Sequence, residues 1–288
     1  DPGRGDFTSL TRLLEIAQEV AGHDHHFSVV QMPLNLMEVG ALIEDRGGHP
    51  SPSVVSIAQQ ANLGLLTNRP LNALADGRLF RLADFDMAVP SDRLDRLLKA
   101  VCRLEEEFAE GLGRTFDLEL LSPGKEVFRY AEDLKQQAET LQDAVAWDDY
   151  IENRFGPEVS QLVNRIDDSL NGPIKMPWKY WLERYVGDVG KLIEGLRIGN
   201  ARASQRRSDK ISRAVSELVP EERRDARLSQ RAVALLRGLG GVSTVLVGMR
   251  RPAYVSDMMA VLTWERFDVD ADALVQSSPG MAFTSEKE

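Results

Sequence analysis

The sequence predicts an α/β protein: part of a (β/α)8, TIM-barrel-like set of parallel strands, interrupted by a large all-helical insertion. Three observations predict it. Three short apolar runs, in Phe27–Asn35, Leu63–Leu74 and Val242–Val255, each end in a polar signature, as buried parallel strands with functional groups at their C-terminal ends do. Helix and strand patterns alternate near both ends of the sequence, the mark of βαβ units. Between about 91 and 219 nearly every segment has helical periodicity. Residues 1–76 and 225–288 are therefore read as the barrel-like part, and 77–224 as the helical insertion.

The opening helix, Asp6–Ala21, carries an apolar stripe of Leu10, Leu13, Leu14, Ile16, Ala17 and Val20, with Thr8 or Ser9 as its cap. A GHDHH loop leads into the first strand. The Gly/Pro-rich loop Gly47–Pro52 precedes a short helix, Ser53–Ala61, and the strand LGLLT follows Asn62. Strand signals stop beyond about Gly77. The insertion reads as four helices packing antiparallel. Ser91 caps the first, with Asp92 in its first turn, and Gly111 and Gly113 stop it; Pro157 opens another, and Asn171–Pro173 is a turn. The barrel pattern resumes with a helix in Leu228–Gly241 capped by Ser229, the strand VSTVLV, the turn GMRRP and a helix opened by Pro252. The tail from Trp264 is polar and Ser-rich toward its end, and is expected to be loosely ordered.

Composition narrows the function. The 288 residues carry a net charge of -10 and a pI near 5.1, which argues against nucleic acid and anionic membrane surfaces as partners. No apolar stretch approaches the roughly 18 residues that span a bilayer. The single cysteine, Cys102, excludes an internal disulfide and fits a reducing, cytoplasmic setting; its helical context reads as a small core residue. His23, Asp24, His25 and His26 look metal-like in sequence, but adjacent residues rarely converge on one ion and no second cluster completes a site, His49 being the only other histidine. A solvated loop is the preferred reading. Trp178, Trp181 and Tyr185 share one helical face, read as a core contact, with a partner-binding face as the alternative. Arg202–Arg213 and Glu221–Arg227 read as solvated, salt-bridged helix, and Arg103–Phe108 (RLEEEF) as an ordinary charged face.

The strand ends carry the chemistry. They are Gln31 in VVQMPLNL, the run Asn68-Arg69-Pro70-Leu71, and the turn Gly248-Met249-Arg250-Arg251-Pro252. In this order they resemble the last three strands of the aldo/keto reductase family, a (β/α)8 barrel whose members reduce carbonyls with NADPH. The similarity covers about residues 1–76 and 225–263. It implies a cofactor site of Gln31, Asn68, Arg69, Pro70, Leu71, Gly248, Met249, Arg250 and Tyr254, with NADP as the cofactor. Gln31 would bond the nicotinamide carboxamide, since a side-chain amide offers both donor and acceptor, or else loop backbone. Asn68 stands where the family has an aromatic ring, and cannot stack in its place. Arg69, in place of a Ser, would approach the pyrophosphate or pair with a nearby carboxylate. The turn at Gly248 and Arg250 would hold the 2′-phosphate at a helix N-terminus, unless Arg250 is a plain surface residue. Tyr254 and Met258 replace the family's adenosine-contacting Gln and Asn; Tyr254 could stack on adenine or simply pack.

The family's catalytic Asp, Tyr, Lys and His come from earlier strands and have no counterpart in this sequence. The resemblance thus implies an NADP-dependent carbonyl oxidoreductase, taking a small aldehyde or ketone, once a missing N-terminal barrel portion supplies the tetrad. The chain alone is not expected to be active. The alternative is a non-catalytic relative that binds a protein partner through its helical insertion.

Overall fold

In a computed structural model of the chain, the described residues are 8–44, 51–75, 78–85, 93–115 and 127–278. They are mostly helical and divide into two compact units, 1–84 with 207–288, and 85–206. The expected cap at Ser91 and Asp92, His49, and all of the Gly47–Pro52 loop but Ser51 and Pro52 lie outside the described residues.

In the first unit α1 (Leu10–Ala21) is capped by Ser9, whose hydroxyl accepts from the Arg12 N–H. Only part of its stripe is used. Leu10 and Leu14 pack with Ala58 and Leu63, whereas Leu13, Ile16 and Val20 are exposed. Then come β1 (Val29–Pro33), α2 (Val54–Gln60, capped by Ser53) and β2 (Gly64–Asn68). β1 and β2 run parallel, from Val29 opposite Gly64 to Pro33 opposite Asn68. A hairpin follows, β3 (Asn72–Ala75) antiparallel to β4 (Arg78–Arg81). The sequence reading ended its strand signals at about Gly77, before β4, and did not separate β3 from the run Leu63–Leu74. The Asp-Gly dipeptide at 76–77, between the apolar residues Ala73 and Leu74 and the pair Leu79-Phe80, is the missed hairpin signal. Much later, β5 (Thr244–Val245) joins β2 in parallel, giving the sheet order β1-β2-β5. Only two residues of VSTVLV belong to the strand, although Ser243 N–H bonds Leu65 C=O and Leu246 N–H bonds Thr67 C=O on either side.

Strand alternation divides the sheet into two faces. Val30, Met32 and Leu65 face a core built largely from α8 (Leu228–Gly238) and the segments beside it: Leu228, Ala232, Leu235, Leu236 and Leu239. Val29, Gln31 and Pro33 point the other way and are exposed. The expected TIM-barrel closure is not formed by the described residues: this parallel sheet has three strands, and a barrel requires about eight, the last closing on the first.

Two further expectations are corrected. Ser229 does not cap α8. The helix begins at Leu228, which is wholly buried, and the Leu228 N–H donates to Asp84 Oδ2 at 2.8 Å. The tail is ordered through Ser278. Trp264, Val269 and Leu274 are buried, the Val269 N–H bonds Gly238 C=O, α10 (Ala271–Ser277) is capped by Asp270, and the Ser278 hydroxyl bonds Leu36 C=O. Between α8 and that tail lies α9 (Pro252–Leu262), whose C-terminal end is closed by Arg237 donating to Val261 and Trp264 carbonyls.

The second unit contains α3 (Leu94–Glu110, stopped by Gly111), α4 (Tyr130–Leu141), α5 (Ala144–Tyr150), a π turn (Ile151–Phe155), α6 (Gly156–Ser169, with Pro157 in its first turn) and most of the 40-residue α7 (Lys175–Ala214). Trp178, Trp181 and Tyr185 are buried and stacked, with ring centroids 5.6 and 4.8 Å apart. Phe108 and Phe128 close against Trp181 at 4.7 and 4.9 Å. Each polar handle is satisfied, as buried Trp and Tyr require: Trp178 Nε1 donates to Asp167, Trp181 Nε1 to Leu104 C=O, and the Tyr185 hydroxyl to Glu105. This aromatic face is core. The basic run Arg202–Arg213 is not solvated all round, because Ser204, Ser208 and Ile211 are buried on one side. Glu105, read as part of a charged face, is also buried, and Cys102 is half-buried and packed against the core of this unit.

Among the described residues no group of His, Cys, Asp or Glu is placed to hold a metal ion, and no helix is long and apolar enough to cross a membrane.

Candidate functional site

Because β1, β2 and β5 are parallel, their C-terminal ends lie at one end of the sheet. A cleft of about 280 Å³ opens there, within the first unit, lined by Arg69, Pro70 and Leu71 after β2, Arg81 of β4, Gly248 after β5, and Tyr254 and Met258 of α9. Five predicted site residues thus meet: Arg69, Pro70, Leu71, Gly248 and Tyr254. Gln31, Asn68, Met249 and Arg250 do not line it. Gln31 sits mid-strand on the exposed sheet face, and Asn68, the last residue of β2, shares that face by alternation and register. Met249 and Arg250 are exposed in the turn before α9.

The cleft is rigidly framed. Asn35 Oδ1 accepts from the Met37 and Glu38 N–H groups, an Asx turn at the end of β1, while its Nδ2 donates to Glu38 Oε2 and Arg69 C=O. Arg69 adopts a positive φ of 53°, which swings its guanidinium back to Glu38 Oε1 at 2.6 Å. Of the two roles open to Arg69, the carboxylate pair is the one formed. Glu38 also accepts from the Leu74 N–H at 2.9 Å, fixing β3. Beyond Gly248 there is open space where a side chain would be, so the turn can approach a ligand by its backbone.

Tyr254 is held flat. The Arg81 guanidinium lies 5.4 Å from its ring centroid and donates to its hydroxyl at 3.3 Å. Asp257 Oδ2 accepts from the Ser229 hydroxyl at 2.5 Å, and Arg227 stands 3.8 Å from Asp257 Oδ1. Arg81, Asp84, Arg227, Ser229 and Asp257 all line the cleft and were missed by sequence reasoning. Arg81 was findable from the hairpin signal; the others depend on the return of α8 and α9 to the strand ends, which local pattern does not encode.

The arrangement presents guanidinium groups and the first turn of an 11-residue helix beside apolar Leu71, Leu246 and Met258. No lysine or histidine is among the described lining residues, and Asp84 and Asp257 are engaged by donors. It is equipped to hold a planar group bearing an anion.

Comparison with known protein families, curated proteins and solved structures gave no match to this chain.

Proposed function

We propose that the cleft binds the adenosine-phosphate end of a dinucleotide, NADP by the resemblance to aldo/keto reductases, and that the chain is the cofactor-side part of a carbonyl oxidoreductase acting in a cytoplasmic setting. The observation that carries this reading is the meeting of Arg69, Pro70, Leu71, Gly248 and Tyr254 with Arg81 and Arg227 at the ends of adjacent parallel strands. Guanidinium groups match phosphate geometry, a helix N-terminus favours an anion, and the fixed Tyr254 ring offers a face to a purine. A volume of about 280 Å³ is at the small end for ligand pockets and suits one half of a dinucleotide.

The residues present fit that half. Reduced NADP, when bound, supplies a hydride. This chain's part is to anchor the phosphate and orient the ring, while the proton donor for a small aldehyde or ketone comes from a completing barrel portion. The nicotinamide half is less well served, since Asn68 offers no ring and Gln31 lies away from the cleft. That observation favours, as a second reading, a non-catalytic relative that retains nucleotide binding or serves a protein partner.

Titrating the chain with adenosine 2′,5′-bisphosphate, NADPH and NADH by calorimetry tests the proposal. Saturable binding of the bisphosphate and NADPH, reduced about tenfold or more by Arg81→Ala and by Tyr254→Ala (about 1.4 kcal/mol or more each), is the expected result. No binding of either by the folded protein overturns it.

A further inference from the structure

The helix α9 is apolar on two sides. Met258 and Val261 face inward and join Trp264, just past the helix end, in a cluster with Val233 and Ala234 of α8. On the outer side Val255, Met259 and Leu262 recur at helical spacing and are 41%, 55% and 67% exposed. A helix that is apolar all round belongs in an interior. The outer face also carries no charge. Asp257 is the one charged residue of Pro252–Leu262, and it is turned inward, where its Oδ2 accepts from the buried Ser229 hydroxyl. In a chain of which 28% is charged, an exposed helical face without a charge is not built for water.

Its relief suits another helix. Val255 and Met259 form a ridge along the i, i+4 row, and the smaller Ser256 and Ala260 form a groove beside it, into which the ridge of a second helix fits. The rim is mainly positive. Arg250 and Arg251 precede α9 and Arg266 follows it, all exposed, and Arg223 stands 4.9 Å from the centroid of the Trp264 ring. Against these four guanidinium groups the exposed carboxylates at that end are Glu265 and Asp268. Arg250, Arg251 and Arg266 have no ion-pair partner among the described residues. On a chain of net charge -10 this rim is a local reversal of sign. An uncharged apolar centre with methionine, bordered by arginine, is the composition of a protein–protein contact.

We infer that the outer face of α9 docks an acidic amphipathic helix of a protein partner. Apolar residues of that helix at i, i+3 or i+4, and i+7 pack on Val255, Met259 and Leu262, and its carboxylates reach Arg250, Arg251 and Arg266. Charge selects this occupant. A second copy meeting α9 about a two-fold axis would bring Arg250 and Arg251 of each chain toward Arg266 of the other, and an anionic bilayer is repelled by the acidic chain as a whole. Val255, Met259 and Leu262 do not line the cleft of the first unit, so this face and the nucleotide site stand or fall separately.

Fluorescence anisotropy of a labelled helical peptide, with leucines at i, i+3, i+4 and i+7 and glutamates between them, titrated with the full chain, tests it. A scramble of the same composition, a counterpart with lysine for glutamate, and phosphatidylserine vesicles are the other arms. Saturable binding of the glutamate peptide, weakened by added salt and about tenfold or more tighter than that of the scramble, is expected. Met259→Glu lowers it about tenfold or more, and Leu262→Ser and Arg251→Ala lower it as well. These side chains are exposed, so circular dichroism and Tm are preserved. Equal binding of the scramble or the lysine peptide, full affinity in Met259→Glu and Leu262→Ser, or vesicle binding that Met259→Glu abolishes overturns the inference. So does a large loss of thermal stability in both variants, which would show the face covered within the chain, or a dimer in sedimentation that Met259→Glu splits.

Discussion

Glu105 shows how much one side chain can organise. Its carboxylate closes the N-terminal turn of α4 from another helix and anchors the Tyr185 hydroxyl of the aromatic stack. Burial pushes its pKa up, and its three donors and Arg129 only partly offset this. Glu105→Ala strands two N–H groups and a hydroxyl, and is expected to cost about 2–4 kcal/mol in chemical denaturation. Glu105→Gln keeps an acceptor and removes the buried charge. The sign of the pH effect follows from linkage: a carboxyl raised in the folded state contributes stability below its unfolded pKa and loses it as pH rises through the folded one. The Tm of Glu105→Gln relative to wild type should therefore climb as the pH rises above the ordinary glutamate range of about 4. A constant difference would mean that Glu105 does not carry the raised pKa. Its burial was missed in the sequence, although Val101, Leu104, Glu105 and Phe108 follow helical core spacing. The neighbouring Glu106 and Glu107 disguised it as a solvated charge run.

At the scale of elements, the parts with a strong local signal are those the sequence located well. Ser9 caps α1, Gly111 stops α3, Pro252 opens α9, and Trp178, Trp181 and Tyr185 share a buried face. What failed depended on distant partners. Asp84 takes the cap role given to Ser229 because α8 is placed by the burial of Leu228, and the tail is ordered because α8 offers it a seat. That seat can be tested at Gly238, where an added Cβ would run into Phe267 C=O and approach Val269 Cγ2 to 2.6 Å. Gly238→Ala is expected to destabilise the first unit by about 1–3 kcal/mol; a neutral result in thermal denaturation would show that the tail is not pressed against the helix. In the candidate cleft the turn residues Arg69 to Leu71 and Gly248 were legible, because they follow strands with clear β patterns. Arg227 and Asp257 were not, because helix return paths are set by the core and not by local spacing.

For the molecule as a whole, the division into two compact units makes a prediction about cooperativity. Trp181 is buried among Phe108, Phe128, Trp178 and Tyr185, so Trp181→Ala is expected to cost about 3–5 kcal/mol. Hydrogen exchange should then accelerate in α3, α4 and the first turns of α7 while β1, β2 and α8 keep their protection, with Gly238→Ala giving the converse pattern. Uniform acceleration by either variant would show that the chain opens as a single body. A parallel sheet was legible from the apolar runs, but its extent was not. Three strands satisfy each other's ladder locally, and nothing in their pattern states how many neighbours they have.

Among the described residues the second face of the sheet is only partly covered, and this governs how the protein behaves in a crowded tube. Val29 is 50% and Leu246 37% exposed, and the outer margins of β1 and β5 have no strand beside them among the described residues. Such a ribbon is a template on which any extended peptide can stick. Like-charge repulsion between copies keeps them dispersed in dilute buffer, and salt that screens it removes the safeguard. Solubility of this acidic chain should accordingly fall, not rise, as sodium chloride is added.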